Sequence, residues 1–241
     1  MKKFFDIHKF PKQEGILLFG ISMNKVDNVQ GAKKCFEYMK HFIPKVIQPT
    51  VGLNFVYSDS LYYNSEEKAS VLKKRYQATS HGHKFGFMKL LKKNPIYIPN
   101  SFSFKNFSQM VLESKVYLTY LEKLKKIYET DKTFQEYVAK DIGKKVGEPN
   151  TNQTNFILEE ILMFYLVSKG KVRLQNDYIQ DKQKWVLWCY PGKPLFSEIY
   201  VYQKNFFNLS NEINTYENSY YDLEDNILYD YTKIDLPTFE V

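Results

Sequence analysis

The chain has 241 residues, enough for one sizeable α/β domain or two small ones, and 44% of them are hydrophobic, enough to build a core. The formal net charge of +7 is unevenly placed: Leu61 to Lys93 holds eight Lys/Arg and two acids, whereas Phe206 to Val241 holds eight acids and one lysine. The two cysteines, Cys35 and Cys189, fit neither a disulfide framework nor a zinc site, and no apolar run approaches the roughly 20 residues that span a bilayer.

Residues 1–14 read as a polar lead-in. Met1-Lys-Lys-Phe-Phe turns polar too quickly to act as a signal peptide, so a cytoplasmic location in a reducing compartment is expected. The first element is Gly15-Ile-Leu-Leu-Phe-Gly-Ile21. A short, nearly continuous apolar run bounded by turn signals reads as a strand buried on both faces. It stops at Ser22-Met-Asn24. Helical spacing follows from about Val26 to Phe42, with Ala32, Cys35, Phe36, Met39 and Phe42 mostly on one face. Strand, small-residue turn and helix is how an open α/β sheet presents a site, because ligands bind outside the carboxyl ends of parallel strands. On position alone, Ser22 either points its hydroxyl into such a crevice or caps the helix.

Thr50 to Tyr57 reads as a second strand, and two strands joined by such a helix make a right-handed parallel unit. Ser58-Asp-Ser60 is a polar turn at its end. Ser65 is expected to cap a helix carrying Lys68, Lys73, Lys74 and Arg75. His81-Gly-His83 is expected to break that helix, with a shorter basic helix continuing to Lys93. The cluster is either an attractor of polyanions or a solvated helix face. Pro95-Ile-Tyr-Ile-Pro99 is a candidate sheet edge. Phe104 to Tyr128 and Lys132 to Lys144 read as helices. Thr151 to Ser168 is a strongly apolar helix interrupted by Glu159 and Glu160. These two carboxylates point about 100° apart, so one can face a pocket while the other reaches solvent. Lys184 to Tyr190 is a third strand, ending in the turn Tyr190-Pro-Gly192, and Lys193 to Lys204 is a helix. The acidic segment from about Phe206 has no clear period and is expected to wrap the surface or stay partly mobile.

The strand ends offer a hydroxyl (Ser22), a carboxylate (Asp59) and a phenol (Tyr190), and the apolar helix adds Glu159 or Glu160. His8, His41, His81 and His83 form no triad by spacing, so serine chemistry here suits an activated ester better than an amide. His81-Gly-His83 is similar to the nucleotide-binding motif of class I aminoacyl-tRNA synthetases, but it follows a basic helix instead of the first strand. There is no glycine-rich phosphate loop either. No ATP site, cofactor or metal is expected.

In content and order, Gly20-Ile-Ser22, the basic helix after the second strand, Phe156-Ile-Leu-Glu-Glu160 and Tyr190-Pro191 resemble the tRNA-dependent cyclodipeptide synthases, over roughly Gly15 to Tyr200. Tyr190-Pro191 looks like the subgroup marked by Tyr-Pro. Lys25, three residues after the serine, agrees with the absence there of an asparagine found in the other subgroup. The resemblance implies a single domain over 1–241: an α/β, Rossmann-like parallel sheet flanked by helices, similar to the class I aminoacyl-tRNA synthetase catalytic domain but without ATP use. It implies that two aminoacyl-tRNAs are consumed through an aminoacyl-serine and then a dipeptidyl enzyme, which cyclises to a diketopiperazine. Carried over by position, Ser22 is the nucleophile, Glu160 holds the α-amino group and assists proton transfer, and Tyr190 positions the aminoacyl group. Leu18 and Gly20 fall where the first aminoacyl pocket is lined. Phe156 stands in the substrate-binding position where a tyrosine is usual, so either amino-group anchoring is looser or another tyrosine replaces it. Lys68, Lys73, Lys74 and Arg75 match the helix that holds tRNA. A monomer without membrane partners is expected. The alternatives are a non-enzymatic RNA-binding module and a serine esterase.

Overall fold

The computed structural model describes residues 15–46, 51–59, 61, 68–95, 101–172, 185–209 and 216–238. Its centre is β1 (Gly15–Ile21), buried at every position. It pairs in parallel with β2 (Val51–Tyr57) on one side and β4 (Trp185–Tyr190) on the other. β3 (Ser101–Asn106), β5 (Ser219–Asp222) and β6 (Ile227–Asp230) complete a six-stranded sheet in the order β3-β2-β1-β4-β5-β6. All pairings are parallel except β5 with β6. A strand with neighbours on both edges and helices on both faces has no solvent side, so its sequence does not alternate. Gly15 is required by close approach: a Cβ there would lie 1.9 Å from the Trp185 ring on the adjacent strand.

The helices are α1 (Ala32–Val46), α2 (Ala69–Lys93), α3 (Phe107–Glu113), α4 (Tyr117–Thr130), α5 (Lys132–Ile142), α6 (Thr151–Ser168) and α7 (Phe196–Lys204). The chain builds outward from β1 to β2 and β3, then returns to β1's other side for β4 and continues outward to β5. The reversal lies between β1 and β4. There the loops leaving the two carboxyl ends diverge to opposite sides, which opens a crevice at that end of the sheet. Ser22 follows β1 and Tyr190 ends β4, so the topology alone brings both to one place.

Four expectations are corrected. The helix expected from Val26 begins at Ala32, because residues 23–30 close in hydrogen-bonded turns first. The break expected at His81-Gly-His83 does not occur. A mid-helix glycine costs about 1 kcal/mol, and α2 outweighs that with an unbroken buried stripe of Leu72, Tyr76, Ser80, His83, Phe87 and Leu91. The helix expected from Phe104 is a strand followed by two helices. Ser101-Phe-Ser-Phe-Lys-Asn106 alternates, and Phe104 stacks on Phe55 with centroids 5.3 Å apart. The Ser114 hydroxyl then starts α4 by accepting from Tyr117 N at 3.1 Å. Finally, the acidic segment is not a surface wrap: β5 joins the sheet with Tyr220, Tyr221 and Asp222 buried. The Asp222 carboxylate accepts from the backbone N–H of Gly192 (2.9 Å) and Glu224 (2.8 Å), so this acid organises two turns instead of solvating a tail. Ser65 and residues 96–99 lie outside the described residues, but α2 begins at Ala69 with Lys68 at its N-cap, so Lys68 precedes the helix expected to carry it and Ser65 does not cap it. Among the described residues, no helix is long and apolar enough to cross a membrane.

Candidate active site

The turn after β1 is held by its neighbours. Ser58, at the end of β2, donates to the Ile21 carbonyl through both its N–H (3.0 Å) and its hydroxyl (3.1 Å). Lys25 N–H donates to the Ser22 carbonyl at 3.0 Å, closing a tight turn. Gln30, only 1% exposed, clamps both sides of the serine: its Nε2 donates to the Gly20 carbonyl at 2.6 Å and its Oε1 accepts from Ser22 N–H at 2.8 Å. Ser22 therefore caps no helix, since α1 starts ten residues later. Its N–H is engaged by Gln30, so a developing oxyanion must find its donors elsewhere.

The opposite wall comes from α6. Asn150 and Gln153 form a capping box that fixes its start, with bonds of 2.9 and 3.2 Å between each side chain and the other's backbone. The fixed start sets the helix phase, and Glu160 and Phe164, one turn apart, face the end of β1. Phe164 packs on Trp188 of β4 with centroids 4.2 Å apart, and the Trp188 indole donates to the Phe164 carbonyl at 3.2 Å. Ser22, Glu160 and Tyr190 thus line one narrow pocket together with Gly20, Ser58 and Phe164. Gly20 leaves room for the tyrosine: a Cβ there would lie 3.2 Å from the Tyr190 ring.

The pocket holds an unusual acid. Burial pushes the Glu160 carboxyl up to about 7, the Lys25 ammonium draws it back, and the Asp141 carboxylate adds to the rise. Lys25 lies over the tyrosine, with Nζ 4.8 Å from the Tyr190 ring centroid. A carboxylate poised near neutrality beside a hydroxyl and a phenol can hold an ammonium group and then take its proton. Behind it, Glu198 on α7 is buried and is pushed up to about 8 by burial, against the hydrogen bond from the Tyr231 hydroxyl.

The other candidates fall elsewhere. Glu159 lies outside the pocket lining, and its carbonyl accepts from the Tyr117 hydroxyl at 3.1 Å. Leu18 is fully buried on the same face of β1 as Gly20, and Phe156 packs against the core one turn before Glu160. Neither lines the pocket. Asp59 accepts from Ser108 N–H (2.9 Å) and its hydroxyl (2.6 Å), a structural tie at the start of α3. His83 is buried and shares a 2.7 Å hydrogen bond with the Tyr57 hydroxyl. Lys68, Lys73, Lys74 and Arg75 are exposed. A wider groove near the end of α2 is lined by Phe85, Met88, Phe102 and lysines. Among the described residues it carries no hydroxyl or carboxylate, whereas the narrow pocket carries both. Gln30 escapes sequence reasoning because it sits in a patternless loop; a buried-glutamine signal exists only in the fold.

The chain matches no protein-family model and no curated protein. Among solved structures it is similar to the CDPS from Staphylococcus haemolyticus, with a TM-score of 0.56 at 13% identity, covering 86% of this chain and 90% of that one. It is similar to a cyclodipeptide synthase from Bacillus thermoamylovorans, with a TM-score of 0.52 at 15% identity, covering 86% and 87% of the two chains. A CDPS from Fluoribacter dumoffii gives 0.51 at 15% identity, covering 84% and 89%. The chain has the cyclodipeptide synthase fold.

Proposed function

We propose that the protein is an aminoacyltransferase of the Tyr-Pro kind that makes a cyclic dipeptide from two aminoacyl-tRNAs. The observation that carries this reading is the meeting of Ser22, Glu160 and Tyr190 in one pocket at the β1/β4 reversal of this fold. Ser22 Oγ attacks the ester carbonyl of the first aminoacyl-tRNA. The ribose oxygen leaves with the proton, and an aminoacyl-serine forms. The α-amine of that aminoacyl group, held as ammonium by Glu160 and then deprotonated, attacks the ester of the second aminoacyl-tRNA; the C–O bond to the ribose breaks, the ribose oxygen leaves with the proton, and a dipeptidyl-serine forms. The free amine of the dipeptide attacks the serine ester, forming the second amide bond and returning the proton to Ser22. An activated ester needs orientation and a modest base, which the pocket offers without a histidine. Lys68, Lys73, Lys74 and Arg75 take the phosphate backbone, a contact that requires no sequence readout. No cofactor enters these steps.

The test is mass spectrometry of the medium from cells expressing this chain and, separately, Ser22→Ala. A cyclic dipeptide produced only by the unmodified chain supports the reading and identifies both amino acids. Its absence from well-expressed, folded protein overturns the reading in favour of a non-enzymatic RNA-binding module. Ester hydrolysis without tRNA would instead make the chain a serine esterase.

A further inference from the structure

The pocket has a wall that the acyl chemistry does not use. Beyond Ser22, Glu160 and Tyr190, its lining includes Val56, Leu61 and Phe107, all three buried. Leu18 and Phe156, the positions that the resemblance assigns to substrate binding, lie outside that lining. We propose that Phe107 is a specificity-determining residue: it ends the pocket and restricts the aminoacyl group carried by Ser22 to a compact aliphatic side chain, the size of valine, isoleucine or leucine. The inference rests on the synthase reading for the source of that group.

The direction of that side chain follows from its anchors. An aminoacyl group tethered at its carbonyl by Ser22 and at its ammonium by Glu160 turns its remaining substituent toward whatever wall those two leave. The β4 side is occupied: the Tyr190 and Phe164 rings stand over Gly20, 3.2 and 3.8 Å from where a Cβ would lie. On the β2 side, Val56 is the register partner of Gly20, and Leu61 and Phe107 continue the surface from the segments that follow β2 and β3. Among the described residues of this second wall, the polar side chain is that of Ser58, and its hydroxyl donates to the Ile21 carbonyl. A polar substituent entering here gives up its water and gains no donor, a cost that an aliphatic one does not carry. Phe107 is also unable to yield to a longer group. Its ring meets the Tyr117 ring edge-on at 6.2 Å, and the Tyr117 hydroxyl donates to the Glu159 carbonyl at 3.1 Å. The next residue, Ser108, donates to Asp59 through its N–H (2.9 Å) and its hydroxyl (2.6 Å). A wall pinned at both ring and backbone sets a size limit, because close-packed surroundings leave it nowhere to move. Asp59 thus serves the pocket through this tie and not as an acid.

The decisive measurement is the acylation of Ser22 itself, read as the mass added to the intact full-length protein in a single turnover. The probes are activated dinitrobenzyl esters of leucine, of asparagine as its polar near-isostere, and of phenylalanine. Ser22 Oγ attacks the ester carbonyl, the bond from that carbonyl to the benzyl oxygen breaks, and dinitrobenzyl alcohol leaves with the serine proton. Ser22→Ala identifies any adduct formed elsewhere. The unmodified chain takes leucine faster than either asparagine or phenylalanine by at least about tenfold. In Phe107→Ala the leucine-to-phenylalanine ratio falls by about tenfold or more while the leucine-to-asparagine ratio stays within a few-fold. Phe107→Leu gives a smaller fall should the alanine variant fold poorly. A merely structural phenylalanine would slow all the esters together and leave both ratios where they were. Equal rates in the unmodified chain, a leucine-to-phenylalanine ratio that moves in neither variant, or no Ser22 adduct with any ester overturns the proposal. Leucine-selective acylation by a chain that releases no cyclic dipeptide overturns the synthase reading and leaves the role of Phe107 standing. A cyclic dipeptide with no aliphatic residue overturns the role of Phe107 and leaves the synthase reading standing.

Discussion

The pocket and the outer face of α2 are both charged, and they are built in opposite ways. In the pocket, each group is fixed by named bonds: Gln30 spans Gly20 and Ser22, Phe164 locks on Trp188, and Gly20 admits Tyr190. On α2, the buried stripe from Leu72 to Leu91 does the structural work, while Lys68 at its N-cap and Lys73, Lys74 and Arg75 on its outer face are exposed, Arg75 donating to the Tyr76 hydroxyl at 3.0 Å. Fixed groups act through geometry, so removing one changes a rate steeply. Exposed cations act by summation, so each counts little and salt weakens them all.

Three changes sharpen this contrast. The largest effect is expected from Glu160→Gln, which removes the proposed base and should lower cyclic dipeptide formation by roughly a thousandfold. The same change separates chemistry from stability. The folded-state carboxyl titrates near 7, above its ordinary range, so its contribution to stability is full below the ordinary value and is lost as pH rises through about 7. Thermal melts of the two proteins should coincide near pH 4, and the glutamine variant should be more stable at pH 8 by roughly 1–3 kcal/mol. Next comes Gln30→Leu, which keeps the volume but strips both clamps from the serine's turn. Single-turnover acylation should fall by about a hundredfold while tRNA affinity holds. An equal loss of affinity would move Gln30 out of the pocket's machinery. The smallest effect on chemistry is expected from reversing Lys73, Lys74 and Arg75 to glutamate. Binding of aminoacyl-tRNA at low salt should weaken by at least tenfold, with the salt slope shallower by about two to three, and acylation at saturating tRNA little changed. A single reversal among them should change affinity only a few-fold.

The sequence made the centre of the fold visible and obscured its edges, for physical reasons. β1 and β4 are buried on both faces and show it as unbroken apolar runs, and α6 shows its apolar length. From those elements follow Ser22, Tyr190 and the pair Glu159/Glu160; the family resemblance selected Glu160, and Glu160 is the one of the pair that lines the pocket. β3 carried a legible alternation, but the helical pattern beginning at Phe107 ran into it. In α2, Gly82 read as a break because propensity is local and the buried stripe is not. β5 was hidden by composition: aspartates and asparagines beside Tyr220 and Tyr221 look solvating until Asp222 is seen accepting backbone hydrogen bonds. Gln30 had no signal at all. Leu18 and Phe156 lie on the expected faces but behind the pocket's lining.

β4 has β1 along one edge and β5 along the other, and Leu223 N–H reaches the Tyr190 carbonyl at 3.0 Å. These partners are separated by most of the chain. During synthesis, the strand that delivers Tyr190 therefore remains an open edge until residues 219–223 are available to pair with it.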